Sequence, residues 1–176
     1  MSLSSGVLLT ALHGIVLGGL FLLAYSGGLL GLYSLRPGWV TLTGYRGLIR
    51  RLTAGGWIMA IVAWLTVLTG TYLILPRYLA EPPKGANLSH YPKAYLLAHP
   101  HLAPLNDVGM EWKMHIAWIA PVLATAVAYV VLRYGPRLVN DVQIRRAVLV
   151  IFTLAFLTAV VAGVAGLILD KVAPIQ

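Results

Sequence analysis

Residues 107–134 read DVGMEWKMHIAWIAPVLATAVAYVVLRY, and this stretch decides the fold class. Between Met114 and Leu132 it contains no Asp, Glu, Lys or Arg, over a length close to the roughly 20 helical residues that cross a hydrocarbon core. One ionisable side chain, His115, stands at the beginning of this apolar run. The stretch therefore predicts a membrane-spanning helix with an imidazole at one end.

Three further blocks have the same character. The four apolar blocks are 6–35, 54–75, 114–132 and 147–169, and none contains a charged residue. Overall, 59% of residues are hydrophobic, 10% are charged and the mean hydropathy is +0.83, whereas a soluble domain carries about a quarter charged residues. We predict an all-α membrane protein: one transmembrane domain over 1–176, built as an antiparallel four-helix transmembrane bundle.

The N-terminal block argues against a cleaved signal peptide, and the absence of cysteine excludes several kinds of site. The first block is longer than the roughly 7–15 apolar residues of a signal peptide and lacks a basic segment before it, so we expect it to remain as the first span. The chain has no cysteine, which excludes disulfides, thiolate metal sites and c-type haem attachment.

The distribution of Lys and Arg predicts the orientation. The connections 36–53 and 133–146 share one side of a four-span topology and hold eight arginines: Arg36, Arg46, Arg50, Arg51, Arg133, Arg137, Arg145 and Arg146. Because Lys and Arg favour the cytoplasmic side, we predict a plasma (inner) membrane protein with both termini extracytoplasmic. The net charge of +8 is then explained by topology and anionic-lipid contact, and nucleic acid is not an expected partner.

The connection 76–113 lies on the opposite, extracytoplasmic side in this topology. It is long and contains six prolines, yet it also contains tyrosines, leucines and Trp112. Long loops with their own apolar residues tend to be functional. We expect an ordered cap over the outer end of the bundle, with a short helix near 93–98, or alternatively a surface on which a partner docks.

Three residue patterns predict the course of the third span. Asn106 or Asp107 is expected to cap its N-terminus. Pro121 removes the hydrogen bond to the carbonyl of Ala117 and should bend the helix. Gly135-Pro136 is expected to end it.

Two histidines lie in membrane-length segments, His13 in the first and His115 in the third. Counting about 20 residues back from the cytoplasmic ends puts both near the outer interface, at similar heights. Two facing imidazoles at one level are what a b-type haem requires, because helix bundles build cofactor sites from facing side chains. The alternatives are an amphipathic imidazole at headgroup level, another metal, or a proton-handling role.

Other candidate ligands accompany these histidines. Glu111 precedes His115 by one helical turn and could orient its ring, or could simply be an interface carboxylate. His99 and His101 flank Pro100 and form a weaker alternative metal site, with solvation as the simpler interpretation. Neither a Ser–His–Asp arrangement nor a phosphate-binding glycine loop occurs, so hydrolase chemistry has no support.

The predicted architecture and histidine placement resemble those of small membrane b-type cytochromes, although no shared motif supports the resemblance. The leading hypothesis is an electron-transfer subunit that binds one haem b near the extracytoplasmic face and links quinol or quinone to an external redox partner. The alternative is a non-redox accessory or anchor subunit of a larger membrane complex. A weaker option is an outward-facing metal- or solute-binding protein that uses His99, His101 and Glu111. Besides the lipid bilayer, we expect other redox subunits or a homo-oligomer as partners, and a subunit is favoured over an independent enzyme.

Overall fold

A computed structural model describes residues 4–36, 42–173 and 175. Residues 1–3, 174 and 176, near the two chain ends, and residues 37–41 of the predicted 36–53 connection lie outside the described residues. The described chain is helical, and four helices are long and apolar enough to cross a membrane: Ser5–Ser34, Gly44–Tyr78, Leu105–Asn140 and Val142–Val172. Over the described residues, this confirms the predicted all-helical fold with four helices that are long and apolar enough to span a membrane. We refer to these as the first to fourth long helices.

The first three long helices are not uniformly α-helical. The first contains a π-helical stretch at Leu12–Leu17, the second contains one at Gly70–Ile74, and the third begins with one at Leu105–Met110. The fourth is an uninterrupted α-helix. Short π-helical stretches often occur at functional sites, and His13 lies inside the first of them.

The N-terminal part of the third long helix differs from its prediction at the cap. It begins at Leu105 with Pro104 as the N-cap residue, so the expected cap at Asn106 or Asp107 is wrong. The α-helix that starts at Glu111 ends at Ile116, and the next starts at Ile119. This interruption lies where Pro121 lacks the N–H that would bond to Ala117, as the sequence predicts.

The C-terminal part of the third long helix continues past Gly135-Pro136 to Asn140, so the predicted end is wrong. Arg145 explains the extension, because its Nη1 donates to the carbonyls of Leu138 at 2.8 Å and Val139 at 3.0 Å. The connection to the fourth helix is Asp141, whose carboxylate accepts from the backbone N–H groups of residues 143 and 144.

Two apolar clusters fill the interior. The central cluster includes Leu32, Leu35, Met59, Ala124, Leu138 and Phe152 among its buried residues. The end cluster includes Ile74, Tyr78, Leu96, Met110 and Leu169. Leu96 comes from the α-helix Pro92–Ala98, which confirms the short helix predicted near 93–98. With the 3₁₀-helix Leu88–His90, it occupies the segment 79–104 between the second and third long helices.

Side-chain contacts join each long helix to two others. The first helix packs on the second where the methyl groups of Leu52 occupy the space above Gly31, and on the fourth where Phe152 reaches Gly28. The second meets the third through Trp64, whose Nε1 donates to Thr125 Oγ1 at 3.1 Å. These contacts are those of a helical bundle.

Candidate functional site

The candidate site is a layer of polar and small residues between the two apolar clusters. Leu9 packs against the end cluster and Leu17 against the central cluster, so His13 lies between them on the first helix. We define the His13 layer as His13, Thr69, Gly70, Lys113 and Gly166. It draws one or two residues from each of the four long helices.

His13 is half-buried and held by the second helix. Its Nδ1 lies 3.0 Å from Thr69 Oγ1. The hydroxyl of Thr69 donates its single hydrogen to its own helix, to the carbonyl of Leu65 at 2.7 Å or that of Thr66 at 3.1 Å. Thr69 therefore accepts from His13, which places the imidazole hydrogen on Nδ1 and leaves the lone pair on Nε2.

Two glycines make room for the ionisable side chains of this layer. A Cβ atom added at Gly70 would lie 3.0 Å from His13 Cε1, and one added at Gly166 would lie 2.8 Å from Lys113 Nζ. The His13 ring thus lies against the backbone of the second helix, and the end of the Lys113 side chain lies against the backbone of the fourth helix at Gly166. Lys113 is also the charged group that interacts electrostatically with His13. The exposed carboxylate of Asp170 interacts in the same way with Lys113.

His115 is exposed and has a different partner. Its Nδ1 lies 2.7 Å from the carbonyl oxygen of Glu111. A carbonyl can only accept, so here too the hydrogen is on Nδ1 and Nε2 keeps its lone pair. The orienting group is the main chain of Glu111, whereas the sequence suggested its carboxylate.

The structure does not bring His13 and His115 into contact. Residues two apart on an α-helix point about 200° apart, so Lys113 and His115 leave the third helix on opposite sides. Lys113 lies on Gly166 of the fourth helix and acts on His13, while His115 is exposed. The residue that enters the interior beside His13 is therefore Lys113.

His99 and His101 form a pair in the segment between the second and third helices. Their ring centroids lie 5.9 Å apart and the rings are nearly perpendicular. His99 Nδ1 donates to the carbonyl of Tyr95 at 2.8 Å, and its ring lies 4.5 Å from the Tyr95 ring. Among the described residues no group of three His, Cys, Asp or Glu side chains is placed to hold a metal ion, so the pair has no third ligand of those types.

Sequence reasoning missed Thr69, Gly70 and Gly166. The glycines of the first helix near His13 do not provide the space for its ring, because an added Cβ at Gly14 or Gly18 meets no atom within 4 Å. The glycine that touches His13 is Gly70. The adjacent Thr69-Gly70 pair was the one feature of the sequence that could have indicated this contact. Its role becomes clear only when the first helix is seen to pack against the second.

Comparison with known protein families, with curated proteins and with solved structures finds no match to this chain. The function is therefore argued from the His13 layer itself.

Proposed function

We propose that this chain is a membrane electron-transfer subunit, similar to b-type cytochromes, that binds one haem b through His13 and His115. The observation that carries the proposal is that Nδ1 of each imidazole lies within hydrogen-bonding distance of a fixed oxygen, from which we infer a neutral ring with its lone pair on Nε2. Each ring donates from Nδ1 to a fixed oxygen, Thr69 Oγ1 or the Glu111 carbonyl, and so presents a neutral Nε2. That arrangement is typical of metal-ligating histidines, because the second hydrogen bond fixes the tautomer and the ring orientation.

His13 is the inner ligand in this proposal. His115 reaches the haem when the short helical segment that carries it rotates about its own axis. The segment Glu111–Ile116 is bounded by the π-helical stretch Leu105–Met110 and by the interruption before Ile119. The π-helical stretch departs from regular α-helical hydrogen bonding, and beyond Ile116 the carbonyl of Ala117 lacks its usual donor because Pro121 has no N–H, so rotation of this short segment costs less than rotation of a continuous helix. Rotation would exchange Lys113 for His115 at the interior, and Lys113 would extend towards the interface.

The proposed topology is an antiparallel bundle in the plasma (inner) membrane with both termini outside. Paired contacts support the antiparallel arrangement: His13 meets Thr69 and Gly31 meets Leu52, so the second helix runs back along the first. The arginine-rich connections support the cytoplasmic assignment of the opposite end. His13 and His115 would hold the haem near the extracytoplasmic face, where it would pass single electrons between quinol or quinone in the bilayer and an external redox partner docked on residues 79–104.

The test is the visible absorption of the protein purified from haem-replete cells, before and after dithionite. We expect a Soret band and reduced α-bands in the unaltered chain. His13→Ala should abolish the spectrum, because the inner ligand and its fixed ring are lost. His115→Ala should weaken haem binding and change the spin state, since one axial ligand is replaced.

The matched control is His99→Ala, which removes an imidazole with the same Nδ1-to-carbonyl bond from the segment outside the bundle. Its spectrum should equal that of the unaltered chain. A spectrum unchanged by both His13→Ala and His115→Ala would refute the assignment of ligands. Loss of the spectrum in His99→Ala alone would move the site to the 79–104 segment.

A second candidate, a non-redox accessory or anchor subunit, is favoured by the exposure of the first helix. Only 6% of its most apolar stretch is buried within the chain, against 33% in the second and third helices. Several of its glycines, Gly14, Gly18, Gly19 and Gly27, have no atom within 4 Å of an added Cβ. Small residues let another transmembrane helix approach closely. Absence of haem, together with loss of a larger complex in Gly18→Leu, would favour this candidate over the cytochrome.

A further inference from the structure

A cavity of about 480 Å³ opens between the last turn of the first helix and the beginning of the fourth. It lies at the opposite end of the bundle from the end cluster. Among the residues that the structure describes, its lining combines three arginines with apolar and aromatic side chains and includes no Asp or Glu: Leu32, Tyr33, Arg36, Val142, Arg145, Arg146 and Leu149.

Arg145 gives the cavity a fixed charge. It is only 9% exposed, and both of its hydrogen bonds to the carbonyls of the third helix leave from Nη1. A guanidinium has five N–H donors in a planar fork. The Nε and Nη2 donors of a group held in this way are available to an anion without further ordering of the side chain.

Arg36 and Arg146 supply the second and third charges. The guanidinium carbon of Arg36 lies 3.7 Å from the centroid of the Tyr33 ring, a stacking contact that also limits its motion. Arg146 is exposed beside Arg145. Three guanidinium groups, one just after the first helix and two on the fourth, therefore line one cavity. Arg is the residue best suited to bidentate contact with phosphate oxygens.

The remaining lining indicates what carries the phosphate. Leu32, Val142 and Leu149 give the cavity apolar walls, of which Val142 is exposed and Leu149 is partly exposed. A free phosphate ion would gain nothing from those walls, whereas the acyl chains of a phospholipid would. The excess of three positive charges with no acid also disfavours headgroups that carry their own ammonium group.

We propose that this cavity is a binding site for the headgroup phosphodiester of an anionic phospholipid. Arg36, Arg145 and Arg146 contact the phosphate, and the acyl chains lie along Val142 and Leu149. Basic pockets between transmembrane helices are a recurrent means of holding such headgroups. The site is separate from the His13 layer and does not depend on haem binding.

The test titrates the full-length protein in neutral detergent with phosphatidylglycerol and with phosphatidylcholine of the same acyl chains, observed by native mass spectrometry. We expect phosphatidylglycerol to bind about tenfold or more tightly, as expected for charge-assisted contacts. The double variant Arg36→Gln/Arg146→Gln should lose this preference. The matched control is Arg50→Gln/Arg51→Gln, which removes the same charge from exposed positions outside the cavity.

Two further measurements identify the source of the phosphate and keep the proposal independent of variant stability. Phosphatidylglycerol with a photoactivatable acyl chain should crosslink to the unaltered chain at peptides containing Val142 or Leu149. Inorganic phosphate should fail to displace it. Equal affinity for the two lipids, loss of preference in the control, crosslinks confined to other helices, or displacement by inorganic phosphate would overturn the assignment.

Discussion

At the scale of single residues, the hydrogen bond between His13 and Thr69 determines the chemistry available at the site. Imidazole can ligate a metal through either nitrogen, and Thr69 removes that choice by accepting from Nδ1. Sequence alone identified His13 as a candidate, because a lone ionisable group in an apolar span is conspicuous. It could not identify Thr69, since threonines in such helices usually bond to their own backbone.

Replacing Thr69 with Val should leave the His13 Nδ1–H without an acceptor in a half-buried position. We expect a loss of about 1 kcal/mol in the free energy of unfolding, measured by denaturant titration in detergent. The control is Thr158→Val, because the Thr158 hydroxyl bonds only to carbonyls of its own helix. Equal effects of the two substitutions would show that Thr69 does not hold the ring.

At the scale of elements, the number and the approximate positions of the long helices followed from the sequence, but the ends and lengths of the second, third and fourth did not. Apolar blocks of membrane length predicted all four long helices. The third helix nevertheless passes Pro136 and reaches Asn140, because Arg145 from the next helix donates to its terminal carbonyls. Arg145 follows the connection between the two helices, and the local sequence at Gly135-Pro136 does not indicate this contact.

The same contact predicts the effect of Arg145→Met. The substitution leaves the carbonyls of Leu138 and Val139 without their charged donor, and should lower the free energy of unfolding by about 2 kcal/mol. The measurement is denaturant unfolding in neutral detergent without added lipid. Arg51→Met serves as the control, since Arg51 is exposed on the second helix. An equally stable Arg145→Met variant would argue against the role of Arg145 at the helix end.

Close helix packing gives a second prediction at this scale, at two adjacent glycines. A Cβ at Gly28 would lie 2.5 Å from Phe152 Cζ, and the Phe152 ring is itself packed 4.9 Å from the Tyr25 ring. Gly28→Ala should therefore destabilise the protein by about 1–3 kcal/mol, as overpacking does. Gly27→Ala meets no atom within 4 Å and should be neutral or stabilising. Indistinguishable thermal unfolding of the two variants would contradict this packing.

At the scale of the whole molecule, composition was sufficient for the membrane class and the number of long helices. The segment 79–104 was expected to be an ordered cap, and its short helix places Leu96 in the end cluster. The sequence could not show which side chains contact each other across the bundle, because those contacts depend on tertiary packing. Lys113 faces His13, and His115 does not, because of the orientation of the third helix about its own axis. An almost uniformly apolar span does not specify that orientation strongly.

The absence of cysteine makes the proposed orientation directly measurable. Ser89→Cys places a thiol at an exposed position between the second and third helices, and Gly47→Cys places one near the arginines of the second helix. In intact cells, a membrane-impermeant maleimide should label Ser89→Cys and should label Gly47→Cys only after lysis. The reverse pattern would invert the topology.

The central claim is that the imidazole of His13 ligates a haem iron, and chemical rescue tests it most directly. In His13→Gly the absorption spectrum of the haem should be lost or changed, and added imidazole should restore the Soret and α-bands of the unaltered protein. Restoration would show that the missing group is a ligand, because a purely structural role would not be replaced by a diffusing ring. A spectrum that is unchanged in His13→Gly, or the absence of haem bands from the unaltered protein, would contradict the claim.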